Sequence, residues 1–123
     1  MGFFSKLLSG SEESSANIWH SINSDEDLTQ AIEASRENPV AIFKHSTRCF
    51  ISKTVLQNFE AEIKSYQGDA KFYFLDLLKY RQISNKIAED FGVTHQSPQL
   101  IVIKDGKVVN HASHNNISIS LVP

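Results

Sequence analysis

The chain has 123 residues, 41% of them apolar and 21% charged, with a formal net charge of -2. That length allows one domain with a real core, and the near-neutral balance excludes the basic footprint of a nucleic-acid or anionic-membrane binder. A single cysteine excludes an internal disulfide framework and any Cys-rich zinc site, and it fits a reducing cytosol, where a lone thiol stays free.

The N-terminal stretch "MGFFSKLLSGSEESSAN" starts apolar and soon turns polar. It lacks the apolar run of about 7 to 15 residues that a secretory signal needs, and nothing approaches the roughly 20 apolar residues of a membrane span. Residues 1–16 are therefore expected to be a flexible arm, and 17–123 one domain of a cytoplasmic protein. The other reading of the arm is a short amphipathic turn of Phe3, Phe4, Leu7 and Leu8 that touches a partner or a membrane.

"NIWHSI" alternates as a short strand with Trp19 as its anchor. Ser24 before "DED" places a hydroxyl cap and acidic residues at a helix start. Leu28, Ala31, Ile32 and Ser35 keep helical spacing until "NP" ends the element. "VAIFKH" is an apolar run of strand length, expected to be covered on both faces. Beyond Cys49, the stripe of Ile51, Val55, Leu56, Phe59 and Ile63 predicts a helix of about four turns. "KFYFLDL" predicts a second buried strand parallel to the first. "ISNKIAEDFG" predicts a helix with Ile83, Ile87, Ala88 and Phe91 on one side and Gly92 at its end. "QLIVIKDGKVVNHA" is a hairpin turning on "DG". The tail "NNISISLVP" reads as a strand by alternation or as a helix capped by Asn116. The order β-α-β-α-β-α-β-β predicts an α/β fold with a central mixed sheet of four or five strands flanked by helices.

Cys49 follows the apolar strand, at the sheet end where functional groups gather. A thiol at a helix N-terminus faces free backbone N–H groups and the positive end of the dipole, which favour the thiolate. Arg48 adds charge of the same sense. Ser52, one turn on, can donate to the sulfur or close the first turn, and it cannot form a disulfide with Cys49. Pro98 opens a strand that otherwise reads as interior, which makes the Ser97–Pro98 bond a candidate cis peptide facing the same end of the sheet. The alternatives are a buried structural thiol and an ordinary trans proline.

Together these features resemble the thioredoxin fold. More narrowly, "FKHSTRC-IS", "HQSPQ" and the block "LDLLKYRQISN" are similar to the monothiol bacilliredoxins, from about Trp19 to the last residues. The resemblance implies a thiol–disulfide oxidoreductase that removes bacillithiol, or a similar small thiol, from client proteins carrying it as a mixed disulfide. Carried over, Cys49 is the attacking thiol, Ser52 the non-resolving position and Pro98 the cis-proline, with Arg48, Phe50, Ser97 and Pro98 against the substrate. No tightly bound cofactor is implied; the small thiol is a co-substrate. Phe50 departs from the family's proline after the cysteine. Its ring can pack on the sheet edge and leave the thiol open, or lie over the sulfur and shut the site.

Other constellations are weaker. His111 and His114 are three apart, with His45 or His95 as possible companions, but no carboxylate or thiol stands at ligand spacing. A Cys–His hydrolase would need His45 turned toward Cys49. The rivals from other classes are a non-catalytic thioredoxin-like binding module and a monothiol iron–sulfur carrier.

Overall fold

The computed structural model describes residues 18–123; the expected arm at 1–16 lies outside them. Chain order is β1 (Trp19–Ser21), α1 (Asp25–Ala34), β2 (Val40–His45), α2 (Phe50–Ile63), β3 (Lys71–Asp76), α3 (Arg81–Phe91), β4 (Gln99–Lys104) and β5 (Lys107–Ser113). The sheet order is β1-β3-β2-β4-β5. β3 runs parallel to β1 and β2, and β4 is antiparallel to β2 and β5. This is the thioredoxin-like fold expected above.

Local chemistry explains the element ends. The Ser24 hydroxyl accepts from the Asp27 N–H at 3.1 Å, while the Asp27 carboxylate accepts from the Asn23 N–H at 2.9 Å, so cap and first turn hold each other. Gly92 ends α3 in the left-handed region with φ 65. Asp105 and Gly106, at φ 54 and 76, make the tight turn between β4 and β5. Ser35 ties that turn to the end of α1: its carbonyl accepts from the Asp105 N–H at 2.7 Å and its hydroxyl from the Gly106 N–H at 2.9 Å.

All six residues of β2 are buried, as a strand at the centre of a doubly covered sheet must be. Its alternate residues feed two cores. Val40 and Ile42 pack with Leu28, Ile87, Ile101 and Ile103 on the α1 and α3 face. Ala41 and Phe43 pack with Val55, Phe59, Leu100 and Val102 on the α2 face. Trp19 is half-buried and stitches β1 to that second core: its ring lies 5.8–6.3 Å from Phe43, Phe59, Phe72 and Phe74, and its N–H donates to Glu60 at 2.7 Å.

Three details differ from expectation. Ile51 is 50% exposed, and the buried stripe of α2 is Ser52, Val55, Phe59 and Ile63, because Ser52 faces inward. β3 is parallel to β2, but within it only Phe72 and Leu75 are fully buried, since its outer neighbour β1 has just three residues. The tail is neither strand nor α-helix. It makes two short 3-10 turns, His114–Asn116 and Ile119–Leu121, which place Ile117 and Val122 against the α2 core.

Candidate active site

β2 ends at His45 and α2 begins at Phe50, so Thr47 and Arg48 lie in a short exposed link and Cys49 is the N-cap. Cys49 is extended, with φ -102 and ψ 119, as an N-cap should be. Its own N–H donates to the Ser46 carbonyl at 3.1 Å, and its carbonyl accepts from the Lys53 N–H at 3.1 Å. The thiol is free and half-buried. Its side chain makes no capping hydrogen bond, which leaves the first-turn N–H groups of α2 turned toward the sulfur's end of the helix.

Ser52 is fully buried. Its hydroxyl accepts from the Ser46 N–H at 3.1 Å and pairs with His45 Nδ1 at 2.8 Å. With the ring neutral and Nδ1 accepting, the Ser52 O–H is directed at His45. Burial holds the His45 ring below the usual imidazole range, with Asp76 pulling the other way and Lys53 adding to the depression, so the neutral ring is the ordinary state near neutrality. His45 is thus engaged with Ser52, and its ring lies tilted against those of Phe43 and Phe74, with centres 6.3 and 5.4 Å away. A serine, a histidine and the adjacent Asp76 meet here, yet Ser52 is closed to solvent and cannot act as a nucleophile.

The Ser97–Pro98 bond is cis. β4 pairs with β2 so that Gln99 stands opposite Lys44, which sets Pro98 beside the end of β2 from which the Cys49 link departs. Pro98 is buried, and its carbonyl accepts from the His114 N–H at 3.0 Å. The Ser97 hydroxyl is buried without a hydrogen-bond partner among the described residues. Phe50 is 79% exposed, so its ring packs neither on the sheet edge nor as a lid that would hide it from water. Arg48 is exposed.

The family model for the monothiol bacilliredoxin BrxC matches residues 20–122. The chain belongs to that family. Among solved structures, one described as a candidate oxidoreductase with a thioredoxin fold is 28% identical, with a TM-score of 0.75 over 85% of this chain and 90% of that one. Reduced thioredoxin from Schistosoma mansoni is 22% identical, with a TM-score of 0.61 over 78% of this chain and 85% of that one. Thioredoxin NaTrxh from Nicotiana alata is 19% identical, with a TM-score of 0.64 over 79% and 81%. The last two likenesses show the fold. Membership makes the protein one of a group of thioredoxin-fold redox proteins.

Lys44 was not singled out in the sequence, and His45 was weighed there as a base or metal ligand and not as the partner of Ser52. His45 was legible as a strand end, and the period of two puts it on the face of Phe43, toward α2. Lys44 points to the other face, where it is fully buried; its ammonium donates to the Ser84 carbonyl at 3.1 Å, and the Ser84 hydroxyl lies 3.3 Å from His95 Nδ1. A lysine inside "VAIFKH" gives no sign in sequence that it lacks a carboxylate. Among the described residues no group of three or more His, Cys, Asp or Glu gathers to hold a metal, and no helix is long and apolar enough to cross a membrane.

Proposed function

We propose that the protein is a monothiol thiol–disulfide oxidoreductase that removes bacillithiol, or a similar small thiol, from client proteins in the cytoplasm. The Cys49 thiolate attacks the small-thiol sulfur of the client's mixed disulfide. A new disulfide forms between Cys49 and the small thiol, the old one breaks, and the client leaves as its thiolate. A second small-thiol thiolate then attacks that adduct, forms the small-molecule disulfide and restores Cys49. Each step exchanges one disulfide for another, with no net electron gain or loss.

The observation that carries this reading is the placement of Cys49: a free, half-buried thiol at the N-cap of α2, at the end of the sheet where the cis Ser97–Pro98 bond opens β4, in a chain of the bacilliredoxin family. Ser52 supports it by denying Cys49 a resolving partner and by holding Ser46 and His45 under the loop. The backbone of Ser97 would pair with substrate, and Phe50 and Arg48 would flank it. Residues 17–123 form the working unit, with 1–16 as its tether. The solvent-exposed ring of Phe50 argues against a site blocked by that residue.

Exposing the native protein to a small-thiol disulfide and weighing it intact tests the reading. One adduct on Cys49, discharged by excess small thiol, is expected. Labelling that occurs only after denaturation would overturn it.

A further inference from the structure

A cavity of about 410 Å³ opens beside the link that carries Cys49, lined by Thr47, Arg48, Asp76, Leu78 and Lys79. Two segments build it. The β2–α2 link contributes Thr47 and Arg48, and the turn between β3 and α3 contributes the rest. Parallel pairing sets His45 opposite Asp76, so both segments leave the same end of the sheet side by side.

Its charges are unequal. Asp76 is engaged in its own turn, where Oδ1 accepts from the Leu78 and Lys79 N–H groups at 3.1 and 3.2 Å. Neither Arg48 nor Lys79 is among the ion pairs of the described residues. The Lys79 ammonium lies 5.5 Å from the Tyr80 ring centre, a contact that leaves its donors available. Two cations therefore share the cavity with one carboxylate already holding backbone donors. Lys79 also lines a second cavity of similar size, together with Tyr80, but neither that cavity nor a third is lined by any residue between 45 and 53.

We propose that this cavity is the subsite for a carboxylate of the small thiol, with Lys79 as a specificity-determining residue alongside Arg48. The proposal rests on the exchange reading above. A guanidinium and an ammonium lining one cavity suit a carboxylate, which can accept from both in charge-assisted bonds. Thr47 offers a further hydroxyl, and Leu78, 37% exposed, covers the intervening methylenes. The volume suits a small molecule. Cys49 directly follows Arg48, so on this proposal a thiol bonded at Cys49 extends its carboxylate along the link toward these cations.

The test compares two disulfides of similar size, anionic dithiodipropionate and neutral bis-hydroxyethyl disulfide. The readout is the ratio of their rate constants for forming the Cys49 adduct at low salt. Lys79→Gln should lower that ratio about fivefold, Lys79→Arg should largely retain it, and Lys107→Gln, far out on β5, should leave it alone. Added salt should lower it in the wild type. An unchanged ratio in Lys79→Gln, whether both probes slow or neither does, overturns the subsite. If neither probe forms an adduct with the wild type, the exchange reading fails. The subsite is then decided by titrating Cys49→Ser with succinate under amide NMR. Shifts at Thr47, Arg48 and Lys79 that vanish in Lys79→Gln support it, and their absence overturns it.

Discussion

Ser52 and Lys44 are both buried polar residues near the same strand end, and they have opposite effects. The Ser52 hydroxyl satisfies the Ser46 N–H and His45 Nδ1 in the interior. Ser52→Ala orphans both, so it should cost about 1–3 kcal/mol of stability, readable by denaturant unfolding, and slow exchange without ending it. Cys49→Ser should end it. Lys44 is a cation with a carbonyl as its one hydrogen-bond partner among the described residues, and burial lowers it to about 8 from its usual 10.5. Between those two values the unfolded chain binds more protons than the folded one, so stability should rise as pH climbs through that window. Below it the folded protein bears the full cost of a buried charge. Lys44→Met should therefore stabilise at neutral pH by on the order of 1–3 kcal/mol and flatten the alkaline rise. Loss of stability in Lys44→Met at neutral pH would show that the ammonium is better satisfied than its single bond suggests.

The β2–α2 junction is the element on which the proposed exchange turns. An exposed Phe50 at the first position of α2 contributes little packing and keeps its own N–H at the helix start, whereas proline there would pre-set the turn and remove that donor. These effects oppose each other. Wild type and Phe50→Pro should exchange within about tenfold, or ~1.4 kcal/mol in barrier; activity created only by Phe50→Pro would return Phe50 to the role of a block. Much of this junction was legible in sequence. An apolar run, a lone cysteine and a helical stripe located the seam between strand and helix, and a proline opening β4 made its bond a candidate cis peptide that the family resemblance favoured. What was not legible is direction. Ile51 and Ser52 differ by one position, and which of them faces inward depends on the 100° step from a helix start that sequence locates only to within a residue or two. The inward turn of Ser52 is what brings its hydroxyl to His45.

At the scale of the whole molecule, the alternating β and α segments and the "DG" turn foretold the mixed sheet, because burying two faces of a parallel core leaves few arrangements. The last nine residues were illegible for a physical reason. Ile117 and Val122 are held by contacts with α2, far away in sequence, and local alternation imitates a strand without any partner to pair with. The polar cavity of Arg48 and Lys79 was hidden likewise, since it exists only where two links from parallel strands meet. The proposed exchange and its subsite both rest on that convergence at one sheet end. The most direct measurement is therefore a single-turnover reaction with a client protein blocked by bacillithiol, with both proteins weighed intact over time. The predicted result is an unblocked client and, in equal amount, a small-thiol adduct on Cys49 that Cys49→Ser never forms. A client that stays blocked, or one released equally by Cys49→Ser, would contradict it.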